Sequence, residues 1–172
     1  MTKLLLVLHV LVAIVAVGPV TVAASMFPPS ARRALADPGD PRATETVRLL
    51  HRICRVYAAV GIAVPVLGFA TALSMGVLSD AWLVVSMVLT GIAAAVLLAL
   101  VLPRQEELLE ALEAEPAGVG AVAGATEVAA STRGTRNTRS TVRLAMFTGI
   151  FNLLWATVTI LMIVRPGSTT GA

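Results

Sequence analysis

Residues 81–102 read AWLVVSMVLTGIAAAVLLALVL, a run of 22 residues without a charge between Asp80 and Pro103-Arg104. At about 1.5 Å rise per residue, a helix of this length is about 33 Å long. A bilayer's hydrocarbon core is about 30 Å thick, so the run is long enough to cross it. Hydrocarbon offers the backbone no hydrogen bonds, and a crossing segment has to satisfy its own, as a helix does. Three further uncharged apolar runs, 4–27, 56–76 and 144–164, meet the same test. The fold expected is all-α: a four-helix transmembrane bundle forming a single integral membrane domain over 1–172.

Composition points the same way. Hydrophobic residues make up 57% of the 172, against roughly 45–50% in soluble domains. The net charge is +3, but the basic residues flank the spans and lack the interleaved aromatics of a nucleic-acid platform, so nucleic acid is not an expected partner. Anionic lipid headgroups are, because each juxtamembrane Lys or Arg gains about 1 kcal/mol near such a surface. Cys54 is the only cysteine, which excludes an intramolecular disulfide, a CxxC redox pair and a thiolate zinc site within one chain. Arginine outnumbers lysine twelve to one, and with abundant Ala and Val this points to a GC-rich bacterial source.

The arginines also set the orientation. Arg32, Arg33, Arg42, Arg48, Arg52 and Arg55 lie between the first and second spans, and Arg104, Arg133, Arg136, Arg139 and Arg143 between the third and fourth. Lys3 and Arg165 share the opposite side with a second loop whose one charge is Asp80. Basic residues near span ends stay cytoplasmic. The chain is therefore expected in the cell inner (plasma) membrane as a multi-pass protein, N-out and C-out, with cytoplasmic loops 28–55 and 103–143.

Within the first loop, Pro28-Pro29 is expected to end the span, because proline cannot continue the hydrogen-bond ladder. Asp37-Pro38-Gly39-Asp40-Pro41 reads as a turn, with Asp40 as N-cap and Pro41 at the first helical position. The second loop is short enough to make spans two and three antiparallel neighbours, and Trp82 sits where an interfacial aromatic belongs. In the third loop, Leu108, Leu109 and Leu112 against Glu106, Glu107, Glu110 and Glu113 form a short cytoplasmic amphipathic helix after span three. Residues 116–130 read as a flexible Gly/Ala/Val linker. Arg48, Arg52, Arg55, Arg133, Arg136, Arg139 and Arg143 are the expected lipid-headgroup contacts, with His51 beside them and Cys54 as buried packing.

Inside the spans no Asp, Glu, Lys or Arg is present. Ionisable groups mark ion and proton paths in membranes, so proton-coupled antiport is not expected. Gly18-Pro19, Gly61, Pro65 and Gly68 interrupt spans one and two, giving close packing or a hinge or small cavity around Pro65. Gly91 with Ala95, and Ala94 with Ala99, let backbones approach in span three. His9 lies about 8 Å inside the outer edge of span one by helical rise, and Met75, Met87 and Met162 share that outer third. Imidazole and thioether ligands together suit Cu(I), whereas Met is also ordinary core filler. His51 stands at the opposite face, about 27 Å away along the helix, which excludes a bis-histidine haem within one chain.

Leu8-His9-Val10-Leu11-Val12-Ala13-Ile14-Val15 closing on Gly18-Pro19, then Leu49-Leu50-His51-Arg52-Ile53-Cys54-Arg55-Val56-Tyr57, then Phe151-Asn152-Leu153-Leu154-Trp155 and Met162-Ile163-Val164-Arg165-Pro166-Gly167, resemble an uncharacterised family of four-span, actinobacterial-type integral membrane proteins. The Leu-His opening is also similar to copper-resistance D type membrane proteins. That likeness implies a copper or haem b role, carried here by His9 alone.

Three readings follow. The first is a non-enzymatic component that packs with itself, as a homo-oligomer, or with a membrane protein partner, and needs no cofactor. The second is a copper- or haem-binding protein using His9 with Met75, Met87 and Met162. The third is a small-solute permease at the level of Pro65 and Asn152. No nucleophile–base or carboxylate pair can be assembled inside the spans, so an enzyme is not expected. Residues 1–25 resemble a signal peptide in having Lys3, an apolar run and small residues at 23–25, but the run exceeds the 7–15 residues of a typical h-region. N-terminal sequencing of the purified protein is expected to begin at Met1 or Thr2; a start at or beyond Ser25 would make span one a cleaved signal.

Overall fold

A computed structural model of the chain describes residues 2–37, 39–114 and 126–167, with side chains throughout except in 126–137. All regular structure among these residues is helical: α1 (Thr2–Ala36), α2 (Pro41–Gly61), α3 (Ala63–Met75), α4 (Ala81–Ala95), a π-helical segment (Val96–Val101), α5 (Leu102–Glu113) and α6 (Thr126–Val164). Four continuous or nearly continuous helices, Thr2–Ala36, Pro41–Met75, Ala81–Glu113 and Thr138–Val164, are long and apolar enough to cross a membrane. Only 17–22% of each apolar window is buried within the chain. Leu4, Ile14, Leu153 and Ile163 are 66–75% exposed. Surfaces this apolar on the outside as well as the inside require a hydrocarbon solvent. The molecule is a multi-pass helical membrane protein.

The long α1 is the central strut, packed against α2, α3, α5 and α6. Its buried stripe Val20, Ala23, Ala24, Phe27, Ala31 and Ala34 recurs at three and four residues, the spacing of one helix face. Small side chains there let α2 approach closely with Val47, Leu50, Cys54 and Ala58. This packing also overturns the expectation that Pro28-Pro29 stops the helix. Both prolines lie inside α1, and Pro28 is buried with Phe27 and Ala31. Proline's fixed φ of about −65° is helical, and in a membrane helix neighbouring helices hold such a segment in place. What the sequence suggested as loop 28–55 is thus a helical hairpin around a short turn. Asp40 caps α2 as expected, its Oδ1 accepting from the Arg42 N–H at 2.9 Å with Pro41 in the first turn.

Two helical defects face each other across the bundle. Pro65 has no N–H for the Gly61 carbonyl, and the α2–α3 run breaks there, the Ile62 N–H reaching Ala59 O at 3.2 Å. Pro103 likewise denies a donor to the carbonyl four residues before it. The ladder slips into the π-helical segment, where the Leu102 N–H bonds Leu97 O.

Spans two and three, although joined by the short turn 76–80, separate along most of their length. Gly76 in the left-handed region (φ 69°) and a bond from the Val77 N–H to Ala72 O at 3.3 Å terminate α3. Beside the turn, Ala72, Trp82 and Leu83 form a small cluster. Beyond it α3 packs against α1, while α4 packs against α6. The seam closes again at the arginine end, where α2 meets α5. There Arg48 Nη2 pairs with Glu113 Oε1 at 2.8 Å, and the His51 Nδ1–H donates to Gln105 Oε1 at 3.3 Å while Gln105 Nε2 donates to Cys54 Sγ at 3.6 Å. The amphipathic helix is present as expected: α5 buries Gln105, Leu108 and Leu112 and exposes its glutamates.

Gln105→Leu leaves the buried His51 ring without its partner and is expected to cost about 1–3 kcal/mol. Arg48→Ala removes a half-exposed pair and is expected to cost no more than about 1 kcal/mol. Unfolding titrations in mixed micelles compare the two, and equal losses would refute this ranking.

Candidate functional site

The four apolar runs hold no Asp, Glu, Lys or Arg and one histidine, His9, which is 9% exposed. Its ring crosses from α1 to α3, with Nδ1 3.1 Å from Val64 O. A carbonyl only accepts, so Nδ1 carries the proton and, in the neutral ring, Nε2 keeps the lone pair. Gly68 makes this fit possible: a Cβ there would stand 2.9 Å from His9 Cε1. The interruption Gly61-Pro65-Gly68 in span two therefore has two roles, a break at Gly61 and a seat for an imidazole at Gly68.

The methionines expected beside this ring stand on three different helices. Met87 is 44% exposed on α4, and α4 packs chiefly against α6. Met75 lies seven residues beyond Gly68, about 10 Å along the helix. Met162 belongs to α6, where its carbonyl accepts from Arg165 Nε at 3.4 Å. Among the described residues no cluster of three or more His, Cys, Asp or Glu is placed to hold a metal. The two histidines stand apart as well. His51 is anchored on α2 and His9 at Val64, thirteen residues apart on the same helical run, about 20 Å.

His51 itself corrects an expectation. It is 8% exposed and bonded to Gln105, not turned to headgroups. Cys54 is fully buried, as expected of packing. Of the expected headgroup contacts, Arg52, Arg55, Arg139 and Arg143 are exposed, while Arg48 is paired across the seam with Glu113. Arg133 and Arg136 belong to α6, but their side chains lie outside the described residues. Of the linker expected over 116–130, residues 116–125 lie outside the described residues, and 126–130 correct the expectation, since they are the first residues of the long helix α6 that continues into span four. At the other end of the bundle Trp82 is buried. Its Nε1 donates to Asp80 Oδ2 at 3.0 Å, and the Arg165 guanidinium lies 5.6 Å from its ring centroid. Such a stacked cation contributes about 0.5–1 kcal/mol.

The cavity anticipated at Pro65 exists, with a volume of about 120 Å³. Its lining includes Ala16, Val20, Ala58, Leu97 and Phe151, all buried, and the exposed Ile62 and Leu98. Asn152 is not part of its lining. That side chain instead donates from Nδ2 to Ser25 Oγ at 3.0 Å, tying α6 to α1. Tyr57, Thr90 and Trp155 are the lining residues with polar atoms, and the Thr90 hydroxyl already donates to Ser86 O at 2.7 Å. A lining of this kind does little to replace the hydration of a polar solute, so the cavity does not favour the permease reading.

The class these features define is a helical multi-pass membrane bundle in which His9 and Asn152 bind helix to helix. Compared with protein-family models, curated proteins and solved structures, the chain matches none of them.

Gly68→Ala is expected to displace the His9 ring and destabilise the bundle by about 1–3 kcal/mol. In a His9→Ala background the added methyl meets no ring, and the same change is expected to cost far less. A double-mutant cycle by thermal unfolding checks this non-additivity; additive losses would show that Gly68 is not the seat of the ring.

Proposed function

We propose that this protein is a non-enzymatic component of a bacterial inner membrane, lying N-out and C-out, that works by associating within the bilayer with a second copy or another helical membrane protein. The observation that carries this reading is the use made of His9. The one histidine in the apolar runs is an interhelical tie, its Nδ1–H donated to the Val64 carbonyl and a glycine shaped to receive its ring. Asn152 and Ser25 act the same way. Groups used in this manner specify a shape, and the function of the shape resides in the faces it presents. Gly91 and Ala95 on α4 and Ala99 in the π-helical segment stand at four-residue spacing and are exposed. Small residues so spaced let a second helix's backbone come close, and a Cβ added at Gly91 meets nothing within 4 Å in the chain itself.

Single-molecule photobleaching of labelled protein in dilute vesicles tests the proposal. Two or more bleaching steps per particle are expected, with Gly91→Leu plus Ala95→Leu weakening association by about tenfold, a change of about 1.4 kcal/mol. Single-step bleaching at every density, with no membrane protein co-purifying in stoichiometric amount, would overturn it.

A further inference from the structure

The cavity at Pro65 is a lateral window, and its position in the bundle says what enters it. Its walls are α2–α3 on one side and α4 with the π-helical segment on the other; its floor is α1 and α6. The two walls are joined near the turn 76–80 by Ala72, Trp82 and Leu83, and at the arginine end by the contacts of α2 with α5. Between these closures Gly61, Ile62 and Pro65 on one wall and Ala94, Leu97 and Leu98 on the other line the same opening. The opening is at the depth of the hydrocarbon core, so the solvent outside it is acyl chain.

A headgroup position goes with it. Arg55 is exposed and lies three and seven residues before Ala58 and Ile62, on the same helix face. From Arg55 to Ile62 is about 10 Å of helix rise. One leaflet's hydrocarbon is about 15 Å deep, half of a core of about 30 Å. A chain hanging from a phosphate at Arg55 therefore passes the whole window before it reaches the bilayer centre. Arg104, on the opposite wall, stands seven residues beyond Leu97 toward the same end. We propose that the seam between spans two and three seats one acyl chain of an anionic phospholipid from the arginine-side leaflet, with its phosphate at Arg55 and its chain against Ala58, Ile62, Leu97, Phe151 and Trp155. The volume suits such an occupant: about 120 Å³ is close to the apolar cavity of about 150 Å³ that admits a benzene-sized hydrocarbon.

Trp155 lines the window and serves as the probe. In a Trp82→Phe background it is the only tryptophan. The protein is reconstituted in phosphatidylcholine vesicles containing graded fractions of either phosphatidylglycerol or phosphatidylcholine brominated at mid-chain. The anionic brominated lipid is expected to half-quench Trp155 at a mole fraction about fivefold below that of the zwitterionic one. Arg55→Gln is expected to remove that difference. Gly61→Leu, which extends into space where a Cβ meets nothing within 4 Å, is expected to protect Trp155 from both lipids; Ala94→Leu does the same from the other wall if the first variant fails to fold. A tryptophan at the 69% exposed position 153, in a chain lacking both native tryptophans, reports ordinary boundary lipid and is expected to be indifferent to Gly61→Leu. Equal quenching by the two lipids, or quenching that neither filling variant reduces, would overturn the proposal. So would absence of quenching together with crosslinking of two chains through a cysteine at position 94, which would give the window to a second copy.

Discussion

A backbone that crosses hydrocarbon has to carry its own hydrogen bonds, and the architecture turns on how this chain meets that demand where proline prevents it. At Pro65 the helix breaks, and at Pro103 the ladder slips into a π-helical segment. Gly61 at the one defect and Leu97 and Leu98 in the other line the same opening, and spans two and three pack on different neighbours despite the short turn that joins them. The same constraint explains the side-chain chemistry. Ser25, Thr71, Ser86, Thr90, Thr157 and Thr159 all donate to carbonyls four residues back on their own helices, satisfied locally and leaving the apolar surface uninterrupted. His9 and Asn152 reach between helices instead.

Burial is distributed unevenly along the bundle. The main core runs from Val20 to Ala34 on α1, Val47 to Ala58 on α2, and includes Leu97, Val101, Leu108 and Leu112 on the third span and its extension. The other end holds only the small cluster around Trp82, reinforced by Asp80 and Arg165. Helices of 33 to 35 residues are about 50 Å long, well beyond a core of about 30 Å. Much of the tightest packing thus belongs to the arginine-side half and its helical extensions.

Spans, turn and cap were legible because each rests on local chemistry. Uncharged runs of about 20 residues, the short connection over 77–80 and Asp40 before Pro41 signal their structures without knowledge of neighbours. Pro28-Pro29 misled because a proline pair breaks an isolated helix, and the buried stripe that overrides it becomes visible only when α2 is laid against α1. His51 was read from its neighbours Arg52 and Arg55, although it also lies on the stripe of Val47, Leu50, Cys54 and Ala58. Gln105 was missed for a related reason: it stands three and seven residues before Leu108 and Leu112, on their face, where a polar residue in an apolar stripe signals a buried partner. Likewise Gly68 and His9 are 59 positions apart, and nothing in the sequence pairs them. The proximity of spans two and three was inferred from loop length, which fixes where two helices meet but not whether they stay together.

The unequal distribution of burial divides the bundle in kind. Toward the arginine end the helices share one continuous buried stripe and crossed polar ties. Toward the turn 76–80 the packing is of α3 on α1 and of α4 on α6, with the His9 tie serving the first pair and the Trp82 cluster bridging α3 and α4. The ladder interruptions at Gly61 and in the π-helical segment fall between the two regimes.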